Sequence, residues 1–306
     1  MILIVGGTGT LGKATARRLL AKGTAVRIMT RTPEKAAELQ KLGAEVVQGN
    51  LLDNASLARA CHGIEKVLAA AHSVMGRGRQ ASKFVDLQGH KDLIDTAKRA
   101  GVNHFVYTSA YQYNPTYDAV PFFHFKHKVE EYLQSSGLSY TILRPTAFME
   151  AHAEMFIGQP ILDKGKVSLF GKGQNKRNFV AADDVAHFAV MALSDPDFSG
   201  RTVDIGGPEN LTNMEVVGLY EKLAGRPAKV SHVPLGMLKV MYRIMRPFHP
   251  GLSQIMQFSI YDDTTDNSFD PGPMLAAYPA IKFTQLEEWA GQRIQSGALF
   301  AIAAAA

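Results

Sequence analysis

The sequence predicts an α/β protein, a doubly wound parallel sheet with a smaller α+β part towards the C-terminus. Three observations predict it. The chain opens on a short apolar strand, a glycine-rich turn and a helix. Strand-like and helix-like stretches then alternate five times, the pattern of a parallel sheet with crossover helices. Beyond Met149 that rhythm gives way to short strands and helices of uneven length. The expected organisation is a first domain over 1–150, to which 180–210 return, and a smaller part made of 151–179 and 211–306.

Ile2 to Val5 is apolar and branched, so it reads as a buried strand. Gly6, Gly7, Gly9 and Gly12 follow, and Lys13 to Leu20 has good helix formers. A glycine turn in that position lets the backbone approach a pyrophosphate, whose charge sits at the helix N-terminus. The spacing Gly6-x-x-Gly9-x-x-Gly12 departs from G-x-G-x-x-G, so the strand–turn–helix context carries the signal. Ala25 to Met29 is the second strand, and Thr32 with Pro33 starts the helix after it. In a dinucleotide fold the end of the second strand faces the adenosine ribose. An acid there favours NAD, and an arginine accommodates a 2′-phosphate. Here the position holds Thr30 and Arg31, with Lys35 a turn later, which points to NADP(H). A solvated surface arginine is the alternative.

Glu45 to Gln48 is the third strand, and either Asn54 or Asp53 caps the helix Ala55 to Cys61. Lys66 to Ala71 is the fourth strand, with small residues at its end that suit a flat ring; His72 follows. After a loop over Val74 to Ala81, Phe84 to Ala100 has helical period and Val102 to Thr108 is the fifth strand. Ser109 ends it, and Tyr111, Tyr113 and Tyr117 lie in the loop beyond. Ligands of open parallel sheets sit at the carboxyl ends of strands, so this loop is a candidate active-site wall. Phe122 to Ser135 is a helix and Tyr140 to Leu143 the sixth strand.

Further on, Ala151 to Pro160 reads as a short helix, Lys166 to Phe170 as a strand and Gly171 to Asn178 as a basic hairpin or loop. Ala182 to Leu193 is a helix and Thr202 to Ile205 a strand. Thr212 and Glu215 form a capping box for the helix Asn213 to Leu223. Leu235 to Met245 is a Met-rich helix bearing Lys239, Arg243 and Arg246. It is expected to pack on its own domain with the basic residues outward; lying on a membrane or covering a substrate pocket are the alternatives. Asp262 to Asp270 is an acidic turn cluster whose spacing does not fit a calcium loop, so no metal is expected.

Composition narrows the class. The chain has 306 residues, 46% hydrophobic and 20% charged, which is ordinary for a globular protein able to bury a large core. A net charge of +5, dispersed along the chain, suits anionic cofactors and argues against a nucleic-acid partner. Cys61 stands alone, so no intrachain disulfide forms, in keeping with a reducing cytoplasm. The first strand begins at residue 2, so no leader is expected. No apolar run approaches the roughly 18 residues of a membrane span. The tail Ala301 to Ala306 is of low complexity.

Seven stretches together resemble the NmrA-like branch of atypical short-chain dehydrogenases. They are GGTGTLG, the RTP turn, GNLLD, FVYTSA, the helix with Lys126, SGLSYTILRPTAFME and NFVAADDVA. The resemblance covers about Met1 to Leu211 well and the remainder loosely. It implies a Rossmann sheet with a dinucleotide across its strand ends. Gly6, Thr8, Gly9, Thr10, Leu11 and Gly12 would hold the pyrophosphate and Arg31 the 2′-phosphate. Leu52 and Asp53 would flank adenine, and Ala69, Ala70 and Ala71 would line the ribose side. Lys126 would bond the nicotinamide ribose, with Pro145, Thr146, Ala147 and Phe148 beside the nicotinamide. For Lys126 the alternative is a surface lysine pairing with Glu130 at i+4.

One departure matters. Short-chain dehydrogenases usually carry Tyr-x-x-x-Lys, and here Phe122 stands four residues before Lys126. A phenol beside a lysine is the usual proton donor for carbonyl reduction, and phenylalanine offers no proton. Ser109 remains to orient a carbonyl, with Tyr111, Tyr113 or His124 as substitute acids. Two functions follow. One is an NADPH-dependent reductase of a quinone-like or other small conjugated carbonyl acceptor, whose product takes protons from water. The other is a non-catalytic NADP(H)-binding redox sensor or assembly factor. A sugar-nucleotide epimerase fits less well, because it needs the missing tyrosine.

Overall fold

A computed structural model describes residues 1–111 and 119–297. Tyr113, Tyr117 and the tail Ala301 to Ala306 lie outside the described residues. The strands in chain order are β1 (Ile2–Val5), β2 (Val26–Thr30), β3 (Glu45–Gln48), β4 (Lys66–Ala69), β5 (His104–Thr108) and β6 (Tyr140–Pro145). They continue as β7 (Ala147–Phe148), β8 (Lys166–Phe170), β9 (Lys176–Val180), β10 (Arg201–Ile205), β11 (Asn210–Thr212) and β12 (Lys229–Val233). The helices are α1 (Thr10–Ala21), α2 (Ala37–Lys41), α3 (Asn54–Cys61), α4 (His90–Arg99), α5 (Pro121–Ser135) and α6 (Gln159–Lys164). After them come α7 (Ala182–Ser194), α8 (Asn213–Ala224), α9 (Leu235–Met245), α10 (Pro250–Thr264), α11 (Gly272–Ala277) and α12 (Leu286–Gln295). The chain forms two compact units.

The first unit takes Met1–Tyr111, Pro121–Arg144 and Val185–Asp204. Its sheet has seven strands in the order β10-β6-β5-β4-β1-β2-β3. The pairings from β3 through to β6 are all parallel. Strand order reverses between β1 and β4, the place where open α/β sheets bind ligands outside the carboxyl ends. β1 and β5 are buried along their whole length, as apolar runs in a sheet covered on both faces must be. Leu3, Val5, Leu57, Val67, Leu93, Phe105, Leu133 and Ile142 pack into one core.

The second unit comprises Gln112–Val120, Pro145–Asp184 and Ile205–Ala306. It contains a three-stranded sheet, β11-β9-β7, and a two-stranded one, β12-β8. Met149, Ile157, Ile161, Phe179, Val217, Tyr220, Leu286 and Trp289 form its core. The capping box of α8 is present, with Thr212 and Glu215 each bonding the other's backbone N–H.

Several expectations need correction. β4 ends at Ala69, so Ala70 and Ala71 are loop residues beyond it. Asp53 rather than Asn54 caps α3, accepting from the Ala55 N–H at 3.0 Å. The helix expected over Phe84 to Ala100 begins as a π-helical run, Lys83–Gly89, and the one over Ala151 to Pro160 runs through a second, Met149–Gly158, into α6. Gly171 to Asn178 is not a hairpin. Its last residues enter β9, which pairs with β11 and β7, while β8 pairs with β12. Asp262 and Asp263 belong to α10 rather than to a turn, and Asp262 pairs with Arg177 at 2.9 Å. As expected, α9 packs on its own unit, against α10, with Leu238 buried, Leu235, Tyr242 and Met245 half-buried, and Lys239, Arg243 and Arg246 exposed. Met237, Val240, Met241 and Ile244, however, are left exposed on a second apolar side.

Glu150 links the core to pH. It is buried, and its carboxylate accepts from the Ala182 N–H at 3.1 and 3.3 Å. Burial pushes its pKa up to about 7, against those bonds and the Arg293 charge. The folded state therefore holds this proton more tightly than the unfolded chain. The associated stability is full below about pH 4.5 and is lost as pH rises through about 7. Glu150→Gln keeps an acceptor and removes the titration. In urea unfolding its stability relative to the parent is expected to increase from pH 5 to pH 8 by about 2 kcal/mol. A pH-independent difference would refute the linkage.

Candidate functional site

The site is built from the carboxyl ends of β1, β2, β4 and β5 in the first unit. β1 runs into Gly6, whose φ of +88° only glycine adopts freely. A Cβ there would lie 2.6 Å from the Ala71 backbone nitrogen. A Cβ on Gly12 would lie 2.3 Å from the Gly6 carbonyl oxygen, so α1 packs against its own turn with no room for a side chain. The Gly9 N–H closes the turn on the Gly6 carbonyl at 3.0 Å, and Gly9 is the N-cap of α1. Thr10, Leu11 and Gly12 then form the first turn, whose N–H groups have no intrahelical acceptor and lie at the positive end of the helix. Thr8 is half-buried, while Gly9 and Thr10 are exposed. This is a cradle made of backbone, of the kind that could hold a phosphate.

Arg31 follows β2 directly and is exposed. Its Nη1 donates to Gln80 Oε1 at 2.8 Å, and its carbonyl accepts from Gln48 at 3.4 Å. Thr30, by contrast, is buried and holds the Thr32 N–H at 3.2 Å. Leu52 is half-buried, and Asp53 is exposed but commits one oxygen to its capping bond. Ala69 is fully buried, with Ala70 and Ala71 half-buried after it.

Lys126 is buried on α5, four per cent exposed, and is not a surface lysine. Its Nζ donates to the Thr108 carbonyl at 2.7 Å and stands 4.9 Å from the Tyr107 ring and 5.5 Å from that of Phe122. Glu130, the alternative partner, instead takes a forked bond from Arg144, with Arg144 Nε at 3.1 and 3.2 Å. Burial brings the Lys126 pKa down to about 8, opposed by the Asp86 and Glu130 carboxylates. Ser109, the next residue after Thr108, is buried, and its hydroxyl has no hydrogen-bond partner among the described residues. Tyr111 is half-buried. Burial and then the Asp204 carboxylate push its pKa up, opposite to what an activated acid needs.

In the second unit, Pro145, Thr146 and Ala147 are buried and Phe148 half-buried. The Thr146 hydroxyl donates to Asn178 Oδ1 at 2.8 Å, and its N–H donates to the Ile205 carbonyl at 2.9 Å. Asn178 also takes the Gly207 N–H at 2.7 Å, so hydrogen bonds tie Thr146 to Ile205 and, through Asn178, to Gly207.

Two groups escape the sequence reading. Asp86 is fully buried, accepts the Ser73 N–H at 2.8 Å and the Ser82 hydroxyl, and supplies the charge nearest in effect to Lys126. His90, also buried, bonds the Val85 carbonyl through Nδ1 at 3.1 Å and meets Tyr107 edge-on at 5.4 Å. Burial, then the Lys126 charge, brings its pKa down to about 3, so it is neutral. An acid on the inner face of a helical pattern is the signal for Asp86. In the second unit, His152 Nδ1 lies 3.2 Å from Arg177 Nη2, itself fixed by Asp262. No group of acids, histidines or cysteines among the described residues could hold a metal.

A parallel sheet with a glycine cradle at its switch point and a buried lysine beside the next strand end defines a dinucleotide-binding α/β protein. The family model described as the NmrA-like family matches residues 1–290, and the chain belongs to that family. It is 31% identical over 275 residues to the photosystem II assembly factor Ycf39 of Trieres chinensis, covering 88% of this chain and 85% of that protein. It is 30% identical over 239 residues to the NAD(P)H azoreductase of Xenophilus azovorans, 78% and 79% covered. Among solved structures, the Escherichia coli NADPH-dependent quinone oxidoreductase complexed with NADPH has the same fold. The TM-score is 0.75 at 23% identity, with 96% of this chain and 100% of that chain covered.

The cradle's tolerance is testable. Gly12→Ala forces a Cβ into the Gly6 carbonyl, and overpacking of that kind costs ~1–3 kcal/mol. Affinity for NADPH, followed by nicotinamide fluorescence, is expected to fall about tenfold or more, with circular dichroism unchanged. Undiminished affinity would show that the turn opens without consequence.

Proposed function

We propose that this chain binds NADP(H) and is an NADPH-dependent reductase of a quinone-like or other small conjugated acceptor. The observation that carries the reading is the Gly6–Gly12 cradle, where a side chain would strike backbone at both ends of the turn. Those residues fit a pyrophosphate, and Arg31, exposed at the end of β2, would meet a 2′-phosphate. When bound, the cofactor supplies a hydride. Lys126 would donate to ribose hydroxyls from a fixed position, because its Thr108 bond holds it in place. Ser109 would offer its hydroxyl to an acceptor oxygen. Phe122 keeps the lysine covered and provides no proton, so the acceptors favoured are those whose reduced forms take protons from water. The azoreductase and quinone oxidoreductase likenesses accord with this. A single cysteine and the absence of a membrane-length apolar helix among the described residues suit a cytoplasmic site of action.

A second reading has its own support. The same Phe122, together with likeness to a protein named as an assembly factor, favours an NADP(H)-binding regulator without turnover. Incubation with NADPH and a panel of quinones, followed by nicotinamide absorbance, separates the two. Turnover that drops in Lys126→Ala and Ser109→Ala supports the reductase. Tight binding with no turnover on any acceptor supports the regulator.

The cofactor assignment is tested apart from turnover. Removing a charge-assisted contact costs ~1.5–3 kcal/mol, so Arg31→Ala is expected to weaken NADPH about tenfold or more. NADH affinity should stay within about twofold, a surface change of no more than ~0.5 kcal/mol. Equal losses for both nucleotides would refute the 2′-phosphate contact.

A further inference from the structure

The helix α9 carries more exposed apolar surface than any packing role explains. Met237 is 47% exposed, Val240 56% and Ile244 58%, and Phe248, just past the helix, is 76% exposed. Met241 completes the set at 37%. With 3.6 residues per turn, positions 237, 240, 241 and 244 form a single stripe, and 248 continues it by spacing. Leu238, on another side, is buried and seats the helix on its own unit. Apolar stripes this continuous on a surface mark something that covers them.

Charge selects what covers this one. Between Glu221 and Asp262 the chain has no acidic residue and six basic ones: Lys222, Arg226, Lys229, Lys239, Arg243 and Arg246. Arg243 borders the apolar stripe, while Lys239 and Arg246 lie on the far side of the helix, the basic polar face that interfacial helices carry opposite their apolar one. A second copy of this chain, docked stripe to stripe, would bring like charges together on a protein already at +5. An anionic lipid surface complements both features, because it takes the apolar side chains at the acyl boundary and attracts the cations. No helix among the described residues is long and apolar enough to cross a membrane, so such binding is peripheral.

We propose that α9 and Phe248 form a membrane-surface binding site, selective for anionic phospholipid headgroups over neutral ones. The apolar stripe gives depth and the basic residues give selectivity. The proposal is independent of what the nucleotide site does.

Co-sedimentation of the full chain with phosphatidylcholine vesicles, with or without one quarter phosphatidylglycerol, tests it. Binding is expected to the anionic vesicles and to be reversed by high salt. Ile244→Asp with Phe248→Asp should abolish it. Lys239→Glu with Arg243→Glu and Arg246→Glu should weaken it by about fivefold or more for each charge removed. Both sets lie on the surface, so NADPH affinity and thermal unfolding should match the parent, which separates lost lipid contact from lost fold. Equal binding to neutral and anionic vesicles would overturn the proposal. So would no binding, or binding indifferent to Ile244→Asp with Phe248→Asp. A parent dimer in light scattering that becomes monomeric in Ile244→Asp would also overturn it, by assigning the stripe to a second copy.

Discussion

Everything in the first unit is arranged around a contact that leaves no room for a methyl group. The Gly6 carbonyl stands where a Cβ on Gly12 would be, and the Ala71 backbone stands where a Cβ on Gly6 would be. The first fixes how closely α1 follows β1. The second fixes how closely the loop leaving β4 approaches the β1 turn. Since β1 and β4 are neighbours across the reversal of strand order, both contacts meet at the ligand-binding crevice of the sheet. A helix N-terminus is a general anion site, but here steric closure on two sides gives it a fixed position. Arg31 and the β5 end owe their placing to the parallel register that runs outward from β1.

The buried charge follows from the same geometry. Lys126 cannot reach water, so its ammonium is sustained by the Thr108 carbonyl and by the fields of Asp86 and Glu130. An unpaired buried ammonium would cost several kcal/mol, roughly, and shed its proton. With these partners burial still brings the pKa down to about 8, which leaves the side chain mostly charged at neutral pH. His90, beside the same Tyr107 ring, is kept neutral by its burial and by that charge. Burial does most of this, and the lysine charge adds to it.

Legibility in the sequence tracks the range of the interactions. The first unit's strands, its glycine turn and the helices around it could be read because period, caps and turn residues act within a few positions. Phe122 was legible for the same reason, as a residue at fixed spacing from Lys126. What failed depended on distant partners. Asp262 looked like a turn acid because Arg177, which holds it inside the fold, lies far back in the sequence. β9 begins with Lys176-Arg177-Asn178, polar residues that suggest a loop, and becomes a strand because β7 and β11 flank it. Asp86 has no motif; its meaning comes from the Ser73 N–H, the Ser82 hydroxyl and the Lys126 charge. For α9 the amphipathic pattern was visible, but the sequence could not say which side the fold would leave bare.

The two halves of the nucleotide site obey different constraints, and this bears on chemistry. The phosphate end is steric: a backbone cradle tolerates almost no substitution, so its ligand class can be read from glycines. At the Lys126 end, any reduction would be a matter of proton supply. Replacing a phenol by Phe122 leaves the lysine's position intact, because Thr108 rather than the phenol anchors it. Cofactor binding and proton donation are therefore separable in this fold. A chain that keeps the first without the second is restricted to acceptors that need no proton from the protein, or to sensing the nucleotide itself. Ser109, buried next to Thr108 with a hydroxyl that has no partner among the described residues, is a polar group whose role would distinguish those outcomes.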